Sequence, residues 1–317
     1  MDNKVRLPQA SLIATLGIVL AIVAAYVPML GILSLAIPVP YAIIATLTDK
    51  KYAILSLIAT FFILMLCVNP IYSVSICIII ILPGIVIGSI AKTQLTEEYS
   101  NKFEPVFMGT IMVIVSIILF FFIANIVFGT NILDEFTIML KEALKIQMNI
   151  MTKSGIDLKS FSVEELLTDA INMLPTLLFF QSMIVSFAIY YLEVFVLRRI
   201  KKLNLQKPKF NEFYLPGNAI TISFGLYVLI MFMELTNVNL HTDLIMLNLQ
   251  LIFSFMFVLQ GIAVSVYYFK KWTKEGTVKM IFMSAFILCI FGFMGISFVG
   301  MLDSIIDFRK VRSYEST

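Results

Sequence analysis

Apolar residues fall along this chain in long blocks separated by short polar breaks, and the length of the blocks decides what they are. A helix needs about 20 mostly apolar residues to cross the hydrocarbon core of a bilayer. Nine blocks approach that length: 10–29, 32–48, 52–68, 71–91, 106–129, 171–197, 216–238, 244–269 and 277–302. Pro28 and Gly31 part the first two, and Asn69-Pro70 parts the third from the fourth. Pro38 and Pro40 lie inside the second block, which predicts a kinked or partly unwound helix there. The expected fold is all-α: a polytopic transmembrane helix bundle of eight to nine membrane segments.

Residues 130–170 have a different pattern. Phe136, Met139, Leu140, Ala143, Ile150 and Met151 form an apolar stripe at helical spacing, with Glu135, Glu142 and Lys145 on other faces. Lys153-Ser154-Gly155 breaks this helix, and Ser162 with Glu165 forms a capping box that starts a second. This predicts an extracytoplasmic amphipathic helical insertion. It either lies on the outer membrane surface or covers an outward-facing cavity.

Charge orients the blocks, because Lys and Arg concentrate on the cytoplasmic side. With the N-terminus cytoplasmic, the inner segments 1–9, 49–51, 92–105, 198–215 and 270–279 hold 16 Lys+Arg against 7 Asp+Glu, and the outer connections hold 4 against 8. Tyr267, Tyr268 and Trp272 around Lys270-Lys271 read as an interfacial anchor on the inner side. Arg309, Lys310 and Arg312 break the pattern. Either residues 277–308 form a hairpin broken near Gly292 and Gly295, or they form one helix of roughly 48 Å, longer than the roughly 30 Å core. The favoured expectation is one long helix whose end emerges outside.

Composition fits a membrane protein and excludes several other classes. The 317 residues are 60% hydrophobic and 14% charged, with mean hydropathy +0.97. Soluble domains run about 45–50% apolar and about 25% charged. A cytosolic enzyme, a secreted disulfide scaffold and a disordered chain are excluded. The net charge of +3 is too small to imply nucleic acid. No phosphate-binding G-x-x-x-x-G-K-[ST] occurs, and the single histidine, His241, cannot make a metal centre alone. Glu97-Glu98 with Lys102 faintly matches an intramembrane protease motif, which would also need membrane histidines that the chain lacks. No catalytic residues, cofactor or metal are expected, and the protein is not expected to be an enzyme.

Candidate binding groups are the polar residues inside apolar blocks, which face a bundle interior or a cavity. Asn69, Tyr72 and Ser73 cluster at the outer start of the fourth block with Ser75, and Asn125, Gln181 and Gln260 lie deeper. Glu234 sits near the outer end of the seventh block. The candidate ligand-binding set is Asn69, Tyr72, Ser73, Asn125, Gln181 and Glu234, suited to a small neutral or zwitterionic molecule. Glu193 is expected to pair with Arg198 or Arg199 near the inner interface. On the first helix Ala10, Ala14, Gly17, Ala21 and Ala25 form a small-residue ridge, and Gly84 and Gly88 make a GxxxG. The ridge packs internally or docks a separate membrane subunit.

The ridge running into Pro28…Pro38-Val39-Pro40, with the next helix ending at Thr48-Asp49-Lys50-Lys51, resembles the start of the substrate-binding (S) components of energy-coupling-factor vitamin transporters. Those have six helices, and their first-helix AxxxA docks a coupling subunit. Residues 1–200 match that count, while the insertion and the three blocks after residue 200 are extra. Over nearly the whole length the chain resembles the YybS-like family of bacterial polytopic membrane proteins of unknown function. The carrying residues are the N-terminal block through Asp49, Asn69-Pro70, Pro83-Gly84…Gly88, and the ending Gly300-Met301-Leu302-Asp303…Asp307-Phe308-Arg309. These resemblances imply a multi-pass protein of the bacterial cytoplasmic membrane. Residues 1–200 would form a six-helix bundle and 201–317 additional helices with a short tail. Its contacts would be the lipid bilayer, a small ligand and a membrane coupling subunit that supplies energy. The alternative reading is a non-transporting membrane scaffold or regulator. The family motif Gly300, Asp303, Asp307 and Arg309 reads either as a partner contact or as a solvated helix end with local charge pairing.

Overall fold

The structure is a computed structural model and describes residues 7–93, 101–154, 162–200, 208–216, 218–236, 241–273 and 277–311. Glu97 and Glu98 lie outside these. Among the described residues every regular element is helical: α1 (Leu7–Tyr26), α2 (Pro38–Leu47), α3 (Lys50–Cys67), α4 (Pro70–Ser75), α5 (Leu82–Thr93), α6 (Glu104–Phe128), α7 (Ile132–Lys153), α8 (Val163–Asn172), α9 (Leu174–Arg199), α10 (Ala219–Leu235), α11 (Thr242–Thr273) and α12 (Thr277–Ile306). A 3-10 segment at Pro28–Leu35 precedes α2, and a π-helical segment, Ile76–Ile81, joins α4 to α5.

The proline positions explain several starts. Pro38, Pro70 and Pro175 stand in the first turns of α2, α4 and α9, where the missing N–H has no intrahelical partner to lose. Asn69 caps α4 by accepting from the Tyr72 backbone N–H at 2.7 Å.

Six helical stretches are long and apolar enough to cross a membrane: Pro8–Tyr26, Lys50–Cys67, Pro70–Thr93, Glu104–Phe128, Leu174–Arg199 and Thr242–Lys271. Gly31–Leu47, Ala219–Leu235 and Gly292–Ile306 are shorter apolar helices. The sequence pattern marks overlapping regions, but the ninth, expected over 277–302, is Gly292–Ile306 here, and the second is short because the Pro28–Leu35 turns leave α2 only ten residues.

The chain divides into two compact units: Met1–Thr93 with Pro105–Asn204, and Gln94–Glu104 with Leu205–Thr317. The sequence reading divides the chain at 200. The structure divides it at 204 and gives the segment 94–104 to the second unit.

In unit 1 the short α2 is the centre, with all ten of its residues buried. Small residues let other backbones reach it. A Cβ on Gly84 would lie 2.7 Å from the Pro38 carbonyl oxygen, and one on Gly88 would overlap the Ala42 carbonyl. The GxxxG is therefore the α2–α5 contact. The first-helix ridge is also consumed internally: Ala10, Ala14, Gly17 and Ala21 are buried, Ala25 is half-buried, and a Cβ on Gly17 would strike the Tyr41 ring. This gives the ridge a packing role in place of the docking surface that the sequence suggests as its alternative.

The insertion forms two helices with no buried residue. Ser162 and Glu165 complete the capping box, and Lys141 on α7 pairs with Glu164 on α8 at 3.2 Å. That hydrogen bond holds the Glu164 carboxyl below the usual carboxylate range. Ile138, Met139, Ile146 and Ile150 of α7 are exposed.

Unit 2 is built on α11 and the second half of α12. A Cβ on Gly300 would overlap the Phe257 carbonyl, and one on Gly261 would overlap the Ile296 carbonyl, so the two backbones touch there. The expectation of one long final helix is corrected. Gly292 takes φ 70 and ψ 171, a conformation essentially restricted to glycine, and breaks α12 into two parts.

Candidate functional site

Three polar constructions stand out against the apolar background. The first is an open cleft of about 670 Å³ in unit 1, lined by Asn69, Pro70, Ile71, Tyr72, Ser75, Phe120 and Phe128. Its volume is in the range of small-molecule sites, about 300–1,000 Å³. Most polar side chains here have local work. Tyr72 donates to the Ala21 carbonyl at 2.7 Å and Ser75 to the Tyr72 carbonyl at 2.8 Å. Asn69 lines the cleft and uses its carbonyl oxygen as the helix cap, which does not occupy its amide N–H groups. Phe120 and Phe128 supply an apolar wall from α6.

Of the expected ligand set, Asn69 and Tyr72 line this cleft. Ser73 does not: it is buried and donates to the Phe61 carbonyl at 2.6 Å. Asn125 and Gln181 are exposed on α6 and α9 outside the lining, and Glu234 is exposed on α10 in unit 2. The π-helical segment begins one residue after Ser75; such segments often mark functional positions.

The second construction is a buried carboxyl in unit 1. Glu193 is 0% exposed. It is not paired with Arg198 or Arg199, as the sequence suggests; both arginines are exposed, and Arg199 lies 5.6 Å from the Phe195 ring. Glu193 Oε1 instead accepts from the Thr46 hydroxyl on α2, and Oε2 has no protein partner. The spacing hides this contact, because the two residues are 147 apart in sequence. Lys92, one turn beyond Gly88, donates to the Thr48 carbonyl at 2.5 Å. It thereby caps the C-terminal end of α2.

The third is the polar core of unit 2, and it absorbs the C-terminal motif. Asp303 and Arg309 form a salt bridge at 2.8 Å with side chains 1% and 0% exposed. Gln260 donates to Asp303 Oδ2 at 2.8 Å, while its own carbonyl accepts from the Leu215 N–H at 3.1 Å and the Ser304 hydroxyl at 2.9 Å. Arg309 also donates to the carbonyls of Asn211 and Phe213, at 2.9 and 2.7 Å. This is a satisfied buried network, so the reading as a solvated helix end is corrected. Asp307 does not share the helical face of Asp303. It takes φ 48 and accepts from the Val311 N–H at 3.0 Å, turning the chain so that Arg309 reaches back.

The same contacts group the tail with the Lys/Arg-rich segments. Arg309 touches the 208–216 stretch, and Tyr268, two residues before Lys270, donates to the Phe308 carbonyl at 3.3 Å. Within unit 2, Arg309 thus lies beside the 208–216 stretch and the Lys270-Lys271 end of α11. Lys102 and Glu212 add an ion pair of 2.8 Å in this unit.

Among the described residues no cluster of three His, Cys, Asp or Glu is placed to hold a metal ion. The fold and these sites define a helical integral membrane protein with several apolar spans. The chain belongs to the family described as "Predicted membrane protein (DUF2232)", which matches residues 15–304. No curated protein and no solved structure matches it.

Proposed function

We propose that the protein binds a small neutral or zwitterionic molecule at the cleft of unit 1 and serves as a non-catalytic membrane transport subunit. The observation that carries this reading is the cleft itself, lined by Phe120 and Phe128 together with Asn69, Tyr72 and Ser75. A few oriented polar groups within an apolar pocket are what fix a small ligand. By the charge rule the cleft opens on the outer side of a bacterial cytoplasmic membrane, with the N-terminus inside. The sequence holds no phosphate-binding loop, so uptake would draw its energy from a partner.

A thermal-shift screen of vitamins, nucleobases and amino acids on the full chain in detergent tests this. A ligand at 100 times its Kd stabilises by about 2.7 kcal/mol. The expected result is a hit whose shift disappears in Asn69→Ala and weakens in Phe120→Ala. A hit indifferent to both substitutions places binding elsewhere, and the absence of any hit favours the scaffold reading.

A further inference from the structure

The oxygen atoms around Thr46 and Glu193 outnumber the protons that the protein supplies to them. Thr46 Oγ1 lies 3.0 Å from the Ala42 carbonyl, 2.9 Å from the Gly88 carbonyl and in hydrogen-bond contact with Glu193 Oε1. A hydroxyl carries one proton. If Glu193 is a carboxylate, all three neighbours are acceptors for that one proton, and Glu193 Oε2 has no donor in a dry interior, where unpaired charge is most costly. A carboxylic acid eases this: Glu193 is then neutral and its O–H can donate to Thr46, leaving the Thr46 O–H to the two carbonyls, which also accept backbone N–H groups of their own helices.

Among the described residues no cation substitutes for this proton. The charged and titratable groups on the elements packed around Glu193 are Tyr41 on α2, Lys92 on α5, and Tyr190, Tyr191, Arg198 and Arg199 on α9 itself. Tyr41 is held by Thr60 at 2.7 Å and Lys92 by the Thr48 carbonyl. Glu104, the charged residue of α6, is exposed at the start of that helix. None pairs with Glu193.

A second, independent observation lies on the same face of α9. Ser182 and Ser186 precede Glu193 by 11 and 7 residues, which aligns all three on one side of the helix. Both serines are 0% exposed and neither hydroxyl has a protein partner. Ser116 on α6 is in the same condition. It stands two turns along α6 from Gly109, where an added Cβ would come 3.1 Å from the Ser186 Cβ. Buried hydroxyls without protein partners are the groups that ordered water serves in folded proteins.

From these placements we propose that unit 1 carries a proton-binding site at Glu193, reached along the hydroxyls of Ser182 and Ser186. A proton from hydronium forms one O–H bond on the carboxylate and leaves water; release is the reverse step. Loading adds a donor to the Thr46 contacts between α2, α5 and α9, and unloading leaves a buried carboxylate with the Thr46 hydroxyl as its hydrogen-bond partner. The site can therefore sense or carry protons whether or not the cleft binds a ligand.

Acid-minus-alkaline difference infrared spectroscopy on the full chain in nanodiscs reads this directly. The expected result is a carboxylic-acid C=O band that is lost at alkaline pH and absent in Glu193→Gln. The amide keeps a donor toward Thr46, so this variant should fold, and its melting temperature should stay level as pH rises while that of the native chain falls. Should it fail to fold, Thr46→Ser keeps the hydroxyl and should shift the band without abolishing it. Ser182→Ala with Ser186→Ala should slow the deuterium shift of the band several-fold. A band unchanged in both Glu193→Gln and Thr46→Ser overturns the site, and an unchanged exchange rate overturns the route.

Discussion

Replacing Asp303 by alanine removes one carboxylate and leaves the charge it neutralised. The Asp303 side chain is 1% exposed and accepts from Arg309 Nη2 at 2.8 Å, from Arg309 Nε at 3.3 Å and from Gln260 at 2.8 Å. The guanidinium then keeps only the carbonyls of Asn211 and Phe213, while one amide N–H of Gln260 loses its acceptor. Breaking a buried ion pair from one side costs about 3–5 kcal/mol. Total domain stability is only about 5–15 kcal/mol, so the melting temperature of the full chain in detergent should fall on the order of 10 °C. The double variant Asp303→Leu, Arg309→Met removes both charges, and apolar replacement of a whole pair is often neutral. Here it leaves the Asn211 and Phe213 carbonyls unpaired, at about 1–3 kcal/mol each. Those two losses sum to about 2–6 kcal/mol, the size of the single variant's loss, so the double variant should melt close to the single variant and well below the native chain. The reasoning is refuted if either variant melts with the native chain.

Other substitutions test separate steps. Gly292→Ala imposes a Cβ on a backbone at φ 70 and ψ 171 and should cost about 1–3 kcal/mol by thermal melting; no loss would mean α12 is not broken there. Gly88→Ala drives a methyl into the Ala42 carbonyl and should separate α2 from α5 at about 1–3 kcal/mol, read as a lowered melting temperature. Lys310→Cys should react with an impermeant thiol reagent from the same membrane side as Lys102→Cys; opposite sidedness would contradict the Arg309 contacts. Glu164, held below its ordinary range by Lys141, favours the α7–α8 pairing at neutral pH and loses that contribution as acid protonates it. Being exposed, the pair is weak, so a spin-label distance between α7 and α8 should lengthen modestly at low pH, and Lys141→Ala should abolish the change.

What the sequence discloses follows from the range of each interaction. Helices and capping are local, so the apolar blocks, the Pro70 start and the Ser162–Glu165 box are legible. For the final helix the sequence offers a break near Gly292 and Gly295 as its second reading, because hydropathy runs unbroken there, and the backbone angles at Gly292 decide for the break. The cleft is half legible. Asn69 and Tyr72 belong to one polar cluster in sequence, but Phe120 and Phe128 reach it only through packing, and hydropathy cannot separate them from lipid-facing phenylalanines.

The buried polar groups take the argument a step further. In an apolar block a polar residue has two fates, toward lipid or toward a partner, and its own neighbours do not choose between them. Glu193 has two arginines nearby in sequence and ignores both, because its helical face turns inward to Thr46. Asp303 is read with Asp307 as one solvated face, yet it meets Gln260, 43 residues earlier, while Asp307 leaves the helix. Arg309 reaches carbonyls 96 and 98 residues back. For Asp303 the partner lies on a helix brought close through glycine, Gly300 beside Phe257, and beside Thr46 the Gly88 contact with Ala42 brings in the Gly88 carbonyl. Small residues and buried polar groups thus occur together at these contacts. Close backbone approach creates a dry space, and a few polar groups in that space then fix how the helices must sit.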